Sequence, residues 1–92
     1  MATVTIELPS LLHRFAGGAA NVRVEAETVR SALDQLSIAH PAMNVHLFDE
    51  SGAIRQHVLC FHNGVNTRWR NQPDVRIQDG DTLTIMQAVS GG

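Results

Sequence analysis

The sequence predicts an α+β domain in which one helix packs on one face of a β-sheet. Segments that alternate between polar and apolar residues lie on both sides of a single segment with helical spacing, and turn signals separate them. The 92 residues suffice for one small core. An apolar share of 43% and a charged share of 17% are typical of a soluble globular domain.

Two strands are predicted in the first third of the chain. Residues 3–8 alternate between polar and apolar side chains, and residues 21–26 do the same. Glycines at positions 17 and 18 indicate a turn between them. We therefore expect an N-terminal hairpin in which residues 9–20 form a long loop.

One main helix is predicted after the hairpin, with Thr28 as its N-cap. Its apolar residues recur at helical spacing and form one face, composed of Val29, Ala32, Leu33, Leu36 and Ala39. Pro41 ends the helix, because proline disfavours helical geometry at the residue before it. Residues 43–48 fit either a short helical turn or an irregular crossing, and residues 49–52 indicate a surface turn.

The second half of the chain predicts the remaining strands. Residues 57–62 are dense in apolar side chains and indicate a central strand. The pair Asn63 and Gly64 is a strong signal for a tight turn, and residues 65–68 form a short return strand in this interpretation. A turn at residues 79–81 leads into a final strand at residues 82–88.

Composition excludes several classes of partner. A net charge of −2 leaves no basic stripe for nucleic acid. The aromatic residues are too few for base stacking: Phe15, Phe48, Phe61 and Trp69. No apolar run is long enough to span a bilayer and no signal peptide is recognisable, so we expect no membrane partner. Cys60 is the only cysteine, which excludes an internal disulfide and favours a reducing, cytoplasmic setting.

Neither a metal site nor a catalytic site is expected within the chain. The five histidines fit no ligand spacing, and paired cysteine or carboxylate ligands are missing: His13, His40, His46, His57 and His62. Cys60 lies in the middle of a predicted strand, where a thiol behaves as a small hydrophobe. Without a nucleophile–base pair, a phosphate loop or paired carboxylates, we expect a protein that is not an enzyme and binds no cofactor.

The chain ends in Ser90, Gly91 and Gly92, directly after a strand-like run. Glycine has no Cβ, so such a tail is thin and flexible and can enter narrow openings. Glycine is also common at frayed termini, so a Gly-Gly end alone is weak evidence for a functional tail. The evidence is stronger here because a short domain with clear strand and helix patterns precedes it. We interpret residues 1–88 as the folded domain and residues 89–92 as a tail that reaches another protein's active site.

Short matches along the whole chain resemble the MoaD/ThiS-type, ubiquitin-like sulfur carriers. The matching pieces are Leu11-Leu12, Gly17-Gly18, Thr28-Val29, His40-Pro41, Asp49 to Gly52, Asn63-Gly64, Arg68, Asp79-Gly80-Asp81 and Ala88 to Gly92. The long first loop with its Gly17-Gly18 pair, together with the ending from Ala88 to Gly92, looks most like the carriers used in cysteine synthesis. His62 and the pair Met86-Gln87 depart from the usual residues of the family, which leaves the pathway open.

The resemblance implies a β-grasp fold, with a mixed sheet of four to five strands and one main helix. It also implies that an adenylating partner, similar to ubiquitin-activating enzymes, uses ATP to convert the Gly92 carboxylate into an acyl-adenylate. Sulfur then displaces AMP and leaves a thiocarboxylate. A second partner, such as a cysteine-synthase-like protein or a molybdopterin-synthase large subunit, holds the sulfur acceptor. The free carrier is expected to be a monomer.

Docking residues are expected near the base of the tail, at Phe61, Met86, Ala88 and Val89. Two other functions fit the same tail. A small subunit of molybdopterin synthase keeps its tail inserted in a catalytic partner, whereas a ubiquitin-like modifier joins Gly92 to lysines of other proteins. Both alternatives stay open from the sequence.

Overall fold

The computed structural model describes residues 1–67 and 75–87. Within these ranges one mixed sheet has the strand order β2-β1-β5-β3-β4. The strands are β1 (Ala2–Glu7), β2 (Asn21–Ala26), β3 (Val58–His62), β4 (Val65–Asn66) and β5 (Thr82–Gln87). β1 runs antiparallel to β2 and parallel to β5, while β3 is antiparallel to both β5 and β4. The predicted mixed sheet is confirmed, with β5 between β1 and β3.

The main helix, α1 (Val29–Ala39), begins as predicted at Thr28. The Thr28 hydroxyl accepts a hydrogen bond from the Ser31 backbone N–H at 3.1 Å, and the Ser31 hydroxyl accepts one from the Thr28 N–H at 3.0 Å. This reciprocal pair is a capping box, which satisfies two N–H groups at the helix start. The predicted apolar face is buried at four positions and wrong at Ala39, which is exposed.

The long loop predicted for residues 9–20 is partly wrong. The structure has a 3₁₀ helix at Ser10–Ala16, and Leu12 and Ala16 point into the core from it. Both side chains belong to the hydrophobic core, so their burial holds the segment against the rest of the domain. Gly17 ends it in the left-handed conformation, with φ at 67°.

The ambiguous stretch after α1 is helical. A 3₁₀ helix at Pro41–Met43 leads into the short α2 (Asn44–Leu47), and both segments bury a side chain, Met43 and Leu47 respectively. The strand ends differ slightly from the prediction: β1 begins and ends one residue earlier, β3 begins at Val58, and β4 has two residues. The predicted boundary between domain and tail lies outside the described residues.

The core lies between the helices and one face of the sheet. The inward side chains of the three central strands are almost fully buried: Val4, Ile6, Val58, Cys60, Leu83 and Ile85. They belong to one cluster with Leu33 and Leu36 of α1. Because side chains alternate along a strand, the residues between them lie on the opposite face, away from the helices.

Candidate functional site

Two neighbouring strands place apolar side chains on the open face of the sheet. Leu59 is the register partner of Met86, and Phe61 is the register partner of Thr84. Met86 is 48% exposed, and the other three are partly exposed. These four residues form a compact block on β3 and β5, which we call the β3–β5 patch.

The other half of the open face is polar. On β1 and β2, Thr3 is paired with Glu25 and Thr5 with Arg23. Glu7 is the β1 partner of Thr84, so an exposed carboxylate borders the β3–β5 patch. The open face therefore changes from charged to apolar toward β5, the strand that leads into the end of the chain.

A groove lies where the parallel strands β1 and β5 both end. It has a volume of about 320 Å³ and is lined by residues 7–11 and 84–87. Leu11 is 67% exposed there, and Met86 belongs to both the groove and the β3–β5 patch. Because Gln87 is the last residue of β5, the chain leaves the described domain beside this tail-base groove.

The opposite end of β5 is fixed by polar contacts. The Asp81 carboxylate contacts the His62 imidazole through Oδ2 and Nε2 at 2.8 Å, and it accepts a hydrogen bond from Asn63 Nδ2 at 3.0 Å. It also accepts one from the Gln78 backbone N–H at 2.8 Å. The Gln78 bond, followed by those of His62 and Asn63, lowers the pKa of Asp81 to about 2. We call His62, Asn63, Asp81 and Thr82 the β3–β5 corner.

The turn before β5 also joins the backbone of β1. Asp79 Oδ1 accepts a hydrogen bond from the Thr3 N–H at 2.7 Å, and the Gly80 N–H donates to the Thr3 carbonyl at 3.0 Å. The Thr5 N–H donates to the Asp81 carbonyl at 3.1 Å. Gly80 has φ at 87°, a conformation that favours glycine. The Asp-Gly-Asp sequence thus fixes where β5 begins relative to β1.

Of the predicted docking residues, the structure places Phe61 and Met86 together on the open face. Ala88, Val89, Ser90, Gly91 and Gly92 lie outside the described residues. The prediction omitted Leu59, although two-residue alternation puts it on the same face as Phe61. It also omitted Leu11, whose position depends on a 3₁₀ helix that the sequence did not predict.

Cys60 is buried, as its predicted place in the middle of a strand indicates. Cys60 is 1% exposed, and burial raises its pKa to about 11, so the unreactive thiol form dominates at neutral pH. Across residues 1–67 and 75–87, no three histidine, cysteine or carboxylate side chains are grouped as metal ligands. No helix in the same ranges is long and apolar enough to span a membrane.

A comparison with protein families shows which family the chain belongs to. The sequence profile of the ThiS family matches residues 6–92. The chain belongs to the ThiS family. ThiS-family proteins are ubiquitin-like sulfur carriers, and the match includes the terminal residues as well as the folded domain. The resemblance seen in the sequence is confirmed.

Individual relatives agree with this ThiS-family membership. The sulfur carrier protein CysO of Mycobacterium tuberculosis is 29% identical over 91 residues, which covers 97% of this chain and 98% of the relative. Small archaeal modifier protein 1 of Haloferax volcanii is 33% identical over 78 residues, covering 82% of this chain and 85% of the relative. These names describe a carrier and a modifier rather than enzymes.

Solved structures show the same β-grasp fold. A chain in the crystal structure of the Amycolatopsis orientalis BexX/CysO complex has a TM-score of 0.85 and 29% identity, with 97% of this chain and 99% of that chain covered. The crystal structure of the H. volcanii modifier has a TM-score of 0.84 and 31% identity, covering 99% and 100%. The predicted β-grasp architecture of this ThiS-family chain is confirmed.

Proposed function

We propose that this chain carries sulfur as a thiocarboxylate on Gly92. The observation that supports it is the ThiS-family match, which continues to residue 92 and so includes both terminal glycines. A free carboxylate is a poor electrophile at neutral pH, so a partner enzyme must first activate it with ATP. Attack of a sulfur donor on the acyl-adenylate then releases AMP, and sulfur replaces one carboxylate oxygen.

The chain's own contribution is shape and reach rather than acid–base chemistry. Its buried Cys60 thiol and its fixed His62–Asp81 pair both serve the fold. The five residues after Gln87 can extend roughly 17 Å at about 3.3 Å per residue, which is enough to enter a partner's active-site channel. Activation, sulfur donation and sulfur acceptance are therefore assigned to partner enzymes.

The β3–β5 patch is the proposed docking surface. It combines an exposed Met86 with partly exposed Leu59 and Phe61, and it lies next to the groove at the end of β5. Burying one such apolar side chain contributes about 1.5–3 kcal/mol. The neighbouring Glu7 carboxylate gives the patch a charged border, and such borders orient a partner. Ala88 and Val89 extend this surface in the proposal.

The proposed partners are an adenylating enzyme of the ubiquitin-activating type and a sulfur-acceptor enzyme in the cytoplasm. We favour cysteine synthesis, or the synthesis of another sulfur-containing metabolite, as the pathway. Resemblance to the cysteine-synthesis carriers agrees with the similarity to CysO over 97% of the chain. A cysteine-synthase-like enzyme is the acceptor expected on this basis.

The test is intact-mass analysis after incubation with an adenylating enzyme of the ubiquitin-activating type from the source organism, ATP and inorganic sulfide. We expect the mass increase of one sulfur replacing one oxygen, dependent on ATP. A matched control is Ser90→Ala, which keeps both glycines and should still be converted. An unchanged mass would contradict the proposal if the same enzyme preparation forms acyl-adenylate on another sulfur carrier.

A ubiquitin-like modifier is the second candidate, because the H. volcanii modifier is 33% identical to this chain. Both functions require adenylation of Gly92, but a modifier forms an amide bond with a lysine of another protein. Expression of the chain with an N-terminal tag in its source cells separates the two. Tagged adducts of many sizes that disappear on deletion of Gly92 indicate a modifier, and a tagged species of carrier size alone indicates a sulfur carrier.

The molybdopterin-synthase alternative stays a prediction without a specific supporting observation. It requires a stable complex, since the tail would remain inserted in its catalytic partner. Co-purification of the tagged chain with one larger protein at equal stoichiometry would favour it.

A further inference from the structure

Asn63 and Gly64 form the tight turn between β3 and β4, and in this pair the backbone nitrogen of the glycine can attack the asparagine side chain. Among the five asparagines of the sequence, only Asn63 precedes a glycine. A glycine nitrogen is the least hindered backbone nucleophile, because no side chain shields it. Asn63 is exposed, and apart from Gly64 and its two chain neighbours no described atom lies within 4 Å of the position that a Cβ on Gly64 would occupy.

The side chain of Asn63 is bonded at both ends to the start of β5. Its Nδ2 donates to Asp81 Oδ1 at 3.0 Å, and its Oδ1 accepts from the Thr82 N–H at 2.9 Å. The Asn63 N–H donates to the Thr82 carbonyl at 2.9 Å as well. The residue itself has φ at 50°, in the left-handed region. Three hydrogen bonds therefore hold one turn residue against the neighbouring strand.

We propose that Asn63 is a site of non-enzymatic deamidation and that its bonds to Asp81 and Thr82 slow the reaction in the folded protein. Hydroxide removes the proton of the Gly64 nitrogen, which then attacks Asn63 Cγ. A Cγ–N bond forms, the Cγ–Nδ2 bond breaks, and ammonia leaves with a proton from water. Water opens the resulting five-membered imide at one of its two carbonyls and gives aspartate or isoaspartate.

The bonds of the β3–β5 corner oppose two steps of this sequence, the attack on Cγ and the loss of ammonia. Nδ2 must leave as ammonia, so its bond to the Asp81 carboxylate must break first. Cγ must also turn onto the Gly64 nitrogen, which draws Oδ1 away from the Thr82 N–H. A hydrogen bond to an ionised acceptor is about twice as strong as a neutral one, so the Asp81 contact contributes most of the protection.

Deamidation would turn the attraction between residue 63 and Asp81 into a repulsion. An aspartate at position 63 places a carboxylate oxygen where Nδ2 now donates to Asp81, and two like charges then face each other. His62 contacts the other oxygen of Asp81, so it does not separate the two carboxylates. Isoaspartate adds a backbone carbon, which a two-residue hairpin turn does not accommodate. Deamidation would thus loosen the start of the strand that leads to the tail.

The experiment follows each asparagine in the folded full-length chain at mildly alkaline pH by peptide mass mapping over time. Asn21 and Asn44 serve as internal controls, since a β-branched valine follows each of them. We expect conversion at Asn63 alone. Asp81→Ala should accelerate that conversion by about tenfold, the effect of losing a hydrogen bond to a charged group, with Asn21 and Asn44 unchanged.

Two further measurements keep the inference testable if Asp81→Ala fails to fold. The wild-type chain in denaturant should deamidate at Asn63 more than about tenfold faster than the folded chain, with a smaller change at Asn44. Equal rates in the folded and denatured chains would overturn the protective role, and no conversion at Asn63 in denaturant would overturn the site. Asn63→Asp should melt at a lower temperature than the wild type at neutral pH, because one carboxylate oxygen can still accept from the Thr82 N–H while the other faces Asp81. Equal melting temperatures would overturn the loosening of the corner.

Discussion

The two ends of β5 differ in how they are held. At its start, the β3–β5 corner surrounds Asp81 with His62, Asn63 and the Gln78 N–H, and the preceding turn is bonded to β1. At its end, Met86 is 48% exposed beside an open groove. The start of β5 is therefore held by hydrogen bonds, whereas its end is exposed to solvent. The proposed function requires this combination, because the last residues must enter another protein without disturbing the core.

The largest expected effect is the loss of activation when the two terminal glycines are changed. Deleting Gly92, or replacing Gly91 with Trp, should abolish activation by the adenylating enzyme, because the carboxylate is then displaced or its approach blocked. The melting temperature should stay within the error of the wild type, since neither residue belongs to the described core. Activation assays and thermal unfolding measure the two effects separately. A truncated chain that is activated at the normal rate would show that the tail does not react.

The next effect compares the two faces of β5. Leu83 is fully buried, so Leu83→Ala should lower the free energy of unfolding by about 2–5 kcal/mol. Met86→Ala removes an exposed side chain and should change it by less than about 0.5 kcal/mol. Urea denaturation of both variants measures this difference. Similar losses in both would mean that Met86 is a core residue and not part of a docking surface.

A smaller effect is expected for partner binding. Leu59→Asp adds a charge to the centre of the β3–β5 patch and should weaken binding of the adenylating enzyme by about 1.5–3 kcal/mol. Thr5→Asp adds the same charge to the polar half of the open face and is the matched control. Calorimetric titration gives both affinities. If the control weakens binding as much as Leu59→Asp, the polar half of the sheet is the docking surface.

The smallest effect concerns pH at the anchored end. Because its folded pKa is lowered from 3.8 to about 2, Asp81 contributes stability above its unfolded pKa. That contribution is lost as the pH falls from 3.8 toward about 2. Asp81→Asn should therefore be less stable than the wild type by about 1–2 kcal/mol at neutral pH, with the difference shrinking over this range. Thermal unfolding across acidic pH follows it, and a difference that is constant with pH would exclude an ionic role.

Local periodicity was enough to predict much of this fold. Alternation located β1 and β2, and helical spacing with Thr28 located α1 to the residue. The 3₁₀ helix at Ser10–Ala16 was missed because a short apolar pair between turn residues has no clear period. Its exposed Leu11, and with it the tail-base groove, could not be predicted for the same reason.

The unusual His62 shows a different limit. Its strand position alone predicts an inward side chain, but a buried imidazole needs a partner. That partner, Asp81, is 19 residues away in the sequence and meets it only when β3 and β5 pair. The β3–β5 patch was half predicted, since Phe61 and Met86 were chosen without the register that adds Leu59 and Thr84. The reactive group itself was inferred from the terminal residues and the family resemblance.

The most direct measurement locates the sulfur after activation. The wild-type chain, treated with the adenylating enzyme, ATP and inorganic sulfide, is fragmented in a mass spectrometer. We predict that the sulfur is found only in fragments that contain Gly92, as a thiocarboxylate. A mass increase confined to fragments that lack Gly92 would contradict the claim that the terminal carboxylate is the reactive centre.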